Sequence, residues 1–362
     1  PGALRSSSLR PRDTDQPDAP RTIVTNMHHP TLDHPAAWRG TELFSRPDWK
    51  PSFTKADQDE IDAALTASAG VPLEQLSPET FRLPKLSRRL IAVQETLETG
   101  CGAALIDGFD VSRYSEEECR RVFWGLMTHI GTPVSQSAAG ERIFSVRDEG
   151  FRIGQPQARG PNTRKRLSFH TDRCDVITFL TLKQAQSGGE NQLVSSLTLF
   201  HEIRRRRPDL LDVLTQPFYY LRHNVDAGNE QPWCRQPIFS IFQGHFACNF
   251  LRVLIERAYA SDDLPDMTAD QREALDFLEE VAAEPELHVT FRQQPGDILL
   301  VNNWVLLHRR NEFEDFEDPA ERRHLLRIWL SVPNSRPLHP DFAGNYGATA
   351  AGAIRGGMRP KM

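Results

Sequence analysis

The stretch FHTDRCDVITFLTL, residues 169–182, decides how this chain is read. It opens on His170-Thr171-Asp172 and runs on through Val176-Ile-Thr-Phe-Leu180, a β-branched and aromatic run of the kind that forms a buried strand. In an extended segment, side chains two residues apart point to the same side. The His170 imidazole and the Asp172 carboxylate can therefore converge on one ion. Phe169 before them and the apolar run after them place the triplet at a core position, not in a surface loop. Alone, the triplet reads equally well as a satisfied His–Asp hydrogen bond. His339-Pro340-Asp341 repeats the pattern in a Pro- and Gly-rich stretch with no later His, and it reads as a loop.

Working outward, the texture from about residue 142 onward is one of short strands. Residues 143–146, 175–182, 287–293, 298–301 and 323–332 are β-rich and bounded by turn residues. Leu287-His-Val-Thr-Phe291 alternates apolar and polar residues, and Pro295-Gly296-Asp297 is a turn. Upstream, residues 54–67 and 85–98 carry helical stripes; Thr54 caps the first and Gly100 stops the second. A short strand is expected at 103–106. Ser115 and Glu118 form a capping box for a helix that Gly131 ends. Another helix starts at Thr268 with Gln271 as its box partner, and further helices are read within 197–214. The expected fold class is mainly β with flanking helices (α+β), as a double-stranded β-helix, a jelly roll with a cupin-like core. A disordered tail over 1–35 and a single domain over 36–362 are expected.

Composition removes several function classes. The 362 residues are 39% hydrophobic and 25% charged, the balance of a soluble globular protein. A net charge of −6 argues against a nucleic-acid binder, whose affinity comes from neutralising phosphates. No apolar run approaches the roughly 18 residues of a membrane span, and the first 35 residues hold no secretory core. The basic runs at 164–166 and 204–207 read as solvated faces. Five cysteines without a CxxC pair fit a reduced, cytoplasmic protein and not a structural zinc finger.

What raises the triplet above its decoy is the ordered sequel. His308 follows the apolar run 298–307, where Asn302-Asn303 leads into the core. The chain then returns as Arg323-His-Leu-Leu-Arg-Ile-Trp-Leu-Ser-Val332. Under period two, Arg323, Leu325, Arg327 and Trp329 share one face. Two arginines on one face of a mostly apolar strand are costly unless each meets an anion, and a carboxylate fits the planar guanidinium fork. Two imidazoles and one carboxylate leave the opposite face of an iron open. A dicarboxylate that chelates the iron with one end and reaches an arginine with the other accounts for all of these residues.

These residues resemble the taurine/2,4-dichlorophenoxyacetate dioxygenase family of Fe(II)- and 2-oxoglutarate-dependent oxygenases. The landmarks are Gly100-Cys-Gly102, Phe169-His-Thr-Asp172, Gly188-Gly189-Glu190, Pro295-Gly-Asp297, Asn303 with His308, and Arg322-Arg323 through Arg327. The resemblance implies His170, Asp172 and His308 as iron ligands, and Fe(II), 2-oxoglutarate and O2 as cofactor and co-substrates. It implies Arg323 as the partner of the distal carboxylate of 2-oxoglutarate. Arg327 would meet either the anionic group of the substrate or 2-oxoglutarate. The residue after the Gly-Gly-acid motif is usually Thr or Ser and here is Asn191, whose amide can donate the same hydrogen bond. The implied reaction is hydroxylation, desaturation or cyclisation of a small organic acid, with release of succinate and CO2. Two other classes stay open: a His2Asp zinc hydrolase, which gives no reason for the two arginines, and a non-catalytic jelly-roll binding protein, against which the full triad counts. A homo-oligomer is left open; the helices over 197–214 and 268–284 read as surface cover. The glycine-rich residues 344–357 either approach the site or are mobile.

Overall fold

The computed structural model describes residues 32–137, 139–150, 162–222 and 232–359. The expected tail lies outside them as far as residue 31. Helix α1 (Lys55–Ala67) opens where Thr54 Oγ1 accepts from the Asp57 N–H and the Asp57 carboxylate accepts from the Thr54 N–H. Helix α2 (Leu86–Thr99) buries Leu86, Leu90, Val93 and Leu97 and stops at Gly100. After strand β1 (Ala103–Ile106) comes α3 (Glu116–Thr128), capped reciprocally by Ser115 and Glu118. These caps satisfy N–H groups that the first helical turn leaves without partners.

The sheet-forming part begins with β2 (Thr132–Val134), β3 (Ile143–Val146) and β4 (Val176–Lys183). It continues with β5 (Ser187–Gly188), β6 (Asn191–Ser195), the helices α4 (Ser196–Arg206) and α5 (Pro208–Leu214), and the paired strands β7 (Phe218–Leu221) and β8 (Trp233–Gln236). A hairpin of β9 (Phe239–Phe242) and β10 (His245–Cys248) precedes α6 (Arg252–Tyr259) and α7 (Ala269–Ala282). The last strands are β11 (His288–Phe291), β12 (Ile298–Asn302), β13 (Leu306–Arg310), β14 (Phe313–Glu314) and β15 (His324–Ser331), followed by the short α8 (Ala343–Tyr346).

Among the described residues, a six-stranded antiparallel sheet runs β1-β12-β4-β15-β2, with β3 also on β15. A second antiparallel sheet runs β11-β6-β13. The fold is thus mixed α and β, built on antiparallel sheets with helices outside them. The central strands are buried on both faces, so they read as unbroken apolar runs, yet side-chain alternation still sorts their residues. Val176, Leu180, Ile298, Leu300, Leu326, Ile328 and Leu330 pack in one core with α1, α2 and α3. Ile177, Leu299, Val301 and Trp329 pack in the other, with β6, β13 and helices α4 and α7.

The helices and strands that the sequence reading located lie within about three residues of where it put them, whereas β2, β5 to β10, β13, β14 and α6 were not read. The strand read at 298–301 is β12; the apolar run then turns at Asn302-Asn303 into β13, so His308 sits inside a strand and not after one. The buried asparagines permit the turn. Asn302 Nδ2 donates to the Leu97 carbonyl at 2.8 Å, and its Oδ1 accepts from the Trp304 N–H at 2.8 Å. The basic run 204–207 is also more than a solvated face. Arg206 pairs with Glu202 and Glu284, and Arg207 with Asp209 and Glu273. No helix among the described residues is long and apolar enough to cross a membrane.

The Pro295-Gly-Asp297 turn shows how tightly backbone can approach backbone here. Gly296 has φ +94°, and an added Cβ would lie 1.9 Å from the Phe109 carbonyl oxygen. Gly296→Ala should destabilise the protein by about 2 kcal/mol or more, through strain and the displaced Phe109 backbone. Gly70→Ala, where an added Cβ meets nothing within 4 Å, should stay within about 0.5 kcal/mol. Urea denaturation of both variants checks the contrast; equal effects would contradict it.

Candidate metal centre

The His170 segment is fixed by its backbone before its side chains act. His170 and His308 exchange two backbone hydrogen bonds, both 3.0 Å, which lay the segment beside β13. Thr171, between the two candidate ligands, is sewn to the chain after β10. Its N–H donates to the Phe250 carbonyl at 2.8 Å, and its Oγ1 accepts from the Phe250 N–H and from Asn249 Nδ2, both 3.1 Å. Asn303, at the β12–β13 turn, accepts from the Asp172 N–H at 3.0 Å and donates to the Cys174 carbonyl at 3.2 Å. The turn that brings in His308 therefore also holds Asp172.

One donor atom from each of His170, Asp172 and His308 lies within 4.8 Å of the others. The two imidazole centroids are 4.4 Å apart, and His308 Nε2 is 3.7 Å from Asp172 Oδ2. Ligands that hold an ion at about 2.1 Å sit a little closer together than this, a difference that side-chain rotation covers without backbone movement. His170 Nδ1 lies 2.8 Å from the Ser168 carbonyl, so it carries the proton and leaves the Nε2 lone pair toward the cluster. Burial pulls the His308 pKa down to about 3, with His170 beside it acting the same way and Asp172 opposing. Its imidazole is thus kept neutral, the form that ligates a metal. Two imidazoles and a carboxylate are a donor set suited to a divalent first-row metal.

Arg327 lies on the inner face of β15, and Arg323 immediately precedes that strand. Arg323 is 3% exposed; its Nε is buried without a partner, and its guanidinium makes no hydrogen bond or ion pair among the described residues. Burial, and then repulsion from Arg310, lower its pKa to about 9, while Asp315 opposes them. It packs over the Phe313 ring and against Gly189, where an added Cβ would lie 3.5 Å from its Nε. Arg327 is gripped by Gln136: Arg327 Nε donates to Gln136 Oε1 at 2.6 Å, and Gln136 Nε2 donates to the Arg327 carbonyl at 2.9 Å. Its Nη1 reaches 3.9 Å from Asp172 Oδ2. Asn191 starts β6 and donates through Nδ2 to Gln293 Oε1 at 2.8 Å. The decoy at His339 stays apart: His339 Nδ1 accepts from the Asp341 N–H at 3.3 Å in a short turn.

Sequence reasoning missed Gln136, whose polar side chain carries no periodic signal, and left open whether the C-terminal stretch approaches the site. Residues 344–357 do approach the site. The Gly357 N–H donates to the Arg173 carbonyl at 2.7 Å, and the Tyr346 ring lies 4.7 Å from that of Trp304. The stretch is locked by Arg355, whose Nε donates to Asp175 Oδ1 at 2.6 Å in a pair with essentially no exposure. Trp304 Nε1, Ser331 Oγ and the Val332 N–H satisfy the same carboxylate.

Comparisons with known proteins bear on the chain as a whole. The model of the family described as taurine catabolism dioxygenase TauD, TfdA matches residues 69–329. FR-33289 synthase of Streptomyces rubellomurinus is 29% identical over 310 residues, covering 83% of this chain and 90% of that protein. The taurine hydroxylase-like protein SAT17 of Stachybotrys chartarum is 30% identical over 312 residues, covering 82% and 79%. Among solved structures, an asparagine oxygenase in complex with Fe(II), 3-hydroxyasparagine and succinate superposes with a TM-score of 0.60 at 16% identity, covering 78% of this chain and 93% of that one.

Removing one partner of the buried Asp175–Arg355 pair strands a charge. Arg355→Met should cost about 3–5 kcal/mol. Adding Asp175→Asn to that variant should restore part of the loss, because no uncompensated charge then remains. Denaturant titrations of the single and double variants measure this; a double variant no more stable than the single one would contradict it.

Proposed function

Because this chain belongs to the taurine catabolism dioxygenase TauD, TfdA family of non-haem iron oxygenases, we propose that it oxidises an unactivated C–H bond of a small organic acid using Fe(II), 2-oxoglutarate and O2. The observation that carries the co-substrate is the Arg323 guanidinium, buried just before β15 with its Nε unpartnered. A buried charge of this kind calls for an anion, and a dicarboxylate bridging a metal and an arginine supplies one. The succinate in the asparagine oxygenase complex supports the same reading.

In this reading His170, Asp172 and His308 would hold the iron. Arg323 takes the distal carboxylate of 2-oxoglutarate, with Asn191 nearby as a further amide donor. Arg327, beside Asp172, meets an anionic group close to the metal, from the co-substrate or from the substrate. Bound iron supplies the activation of O2: one oxygen atom enters succinate as 2-oxoglutarate loses CO2, and the other enters the substrate C–H bond as hydroxyl. Desaturation or cyclisation uses the same ligands, and the position of the target hydrogen selects among them.

The protein's part is positional. Ser168 fixes the His170 tautomer, Asn303 holds the Asp172 backbone, and Gln136 orients Arg327. We read the two antiparallel sheets as the halves of a jelly roll around this centre, and residues 36–362 as one catalytic domain. Five free, buried cysteines fit work in a reducing compartment such as the cytoplasm. The family sets the hydrolase and binding-protein alternatives aside.

Anaerobic addition of Fe(II) and then 2-oxoglutarate should produce a visible charge-transfer band that neither gives alone; no band in the intact protein would overturn the reading. Arg323→Ala should weaken 2-oxoglutarate binding at least about 30-fold, the scale of losing one partner of a buried charge pair. His308→Ala should lower the iron retained after gel filtration, measured by elemental analysis.

A further inference from the structure

A chain of buried polar side chains leads from the C-terminal stretch to the segment that carries two of the candidate ligands. Asn249, immediately after β10, is its hub. Asn249 Nδ2 donates to Thr171 Oγ1 at 3.1 Å and to the Tyr346 hydroxyl, and Asn249 Oδ1 accepts from Gln236 Nε2 at the end of β8. The main chain there is held as well: the Asn249 N–H donates to the Ile238 carbonyl, and its carbonyl accepts from the Tyr220 hydroxyl, both at 2.8 Å. Thr171, Gln236, Asn249 and Tyr346 are each 5% exposed or less. The amide thus uses its acceptor and both N–H donors inside the protein, where a bond left unmade has no water to replace it.

The hub acts on the spacing of the ligands. Thr171 stands between His170 and Asp172, so fixing its side chain fixes the interval that both ligands flank. The C-terminal stretch holds the other end of that interval by three contacts. The Tyr346 hydroxyl lies 3.5 Å from the Asp172 carbonyl oxygen, Arg173 Nε donates to the Asn345 carbonyl at 2.6 Å, and the Gly357 N–H donates to the Arg173 carbonyl at 2.7 Å. Gly356 makes this approach possible: its φ is +76°, and an added Cβ would lie 2.6 Å from the Arg173 carbonyl oxygen. The Gly356 N–H donates back to the Tyr346 carbonyl at 2.9 Å, so the two points of contact are tied to each other.

We propose that Asn249 is a positioning residue of the metal centre, and that through Tyr346 it couples metal binding to the docking of residues 343–357. With the amide in place, the interval from His170 to Asp172 is ordered before a metal arrives, so metal binding does not have to order it. The coupling is reciprocal: what the docked stretch adds to metal affinity, the metal adds to docking. The proposal rests on the reading of His170, Asp172 and His308 as the ligands. It concerns how tightly they bind and not which C–H bond is oxidised.

Titration of the metal-free full chain with Co(II), followed by the visible absorption of the bound ion, tests this. The parent should bind one Co(II), and His308→Ala should bind it far more weakly. Asn249→Leu should weaken Co(II) binding about tenfold or more, and Tyr346→Phe, which deletes one hydroxyl, about threefold or more. Gly296→Ala, which lowers stability without touching this chain of bonds, should bind Co(II) like the parent. A loss confined to the Asn249 and Tyr346 variants therefore reports positioning and not weakened folding. Hydrogen exchange gives the reciprocal readout: Co(II) should slow exchange at the Gly347, Gly356 and Gly357 amides in the parent, and not in Tyr346→Phe. Parental Co(II) affinity in either variant, equal weakening in Gly296→Ala, or exchange indifferent to Co(II) in the parent would overturn the proposal. If Asn249→Leu does not fold, Tyr346→Phe alone decides. A parent that binds no Co(II), or a His308→Ala variant that binds it as tightly, sinks the ligand reading and the proposal with it. The expected contrast between those two, with Asn249→Leu or Tyr346→Phe at parental affinity, sinks the proposal alone.

Discussion

The pair of backbone hydrogen bonds between His170 and His308 is the constraint on which the site depends. It sets the register of the His170 segment against β13, so two imidazoles from residues 138 positions apart in sequence face each other at a centroid distance of 4.4 Å. A slip of one residue would turn His308 to the opposite face, where Arg309 now stacks on Phe169. Each neighbouring feature reinforces that register. Asn303 ties the turn before β13 to the Asp172 backbone, and Thr171 ties the interval between the ligands to Asn249 and Phe250.

The same alternation sorts charge from core along β15. Its outward residues Leu326, Ile328 and Leu330 complete the apolar layer under α1–α3, while Arg327 and Trp329 point inward. One strand thus serves as wall of a hydrophobic core and as floor of a polar site. The arrangement puts positive charge where desolvation opposes it, as the depressed Arg323 pKa records. Such sites trade stability for preorganisation: an anion arriving there meets a donor already stripped of water.

Much of this was legible in the chain. The helix caps at Thr54, Ser115 and Thr268 are local patterns, satisfied within four residues, and they appear where the sequence puts them. Gly188, Gly189 and Gly296 have positive φ, which accounts for two of the glycine motifs by backbone geometry. Strand β13 was hidden, because the run as far as residue 307 is apolar almost throughout and periodicity cannot tell one buried strand from the next. Gln136 was hidden for a different reason. Its function is a contact with Arg327, 191 residues away, and nothing in its own neighbourhood marks it.

By itself the sequence determined the candidate donor residues, their order, and the inward face of Arg327, since residue chemistry and strand alternation are legible along the chain. Only the tertiary structure decided that the C-terminal stretch is a wall of the site. That outcome rests on Arg355 reaching Asp175 across 180 residues, on Tyr346 packing against Trp304, and on the Gly357 N–H meeting the Arg173 carbonyl. Glycine-rich sequence permits such a path without specifying it; the buried charge pair, which has no lower-energy place to go, selects it.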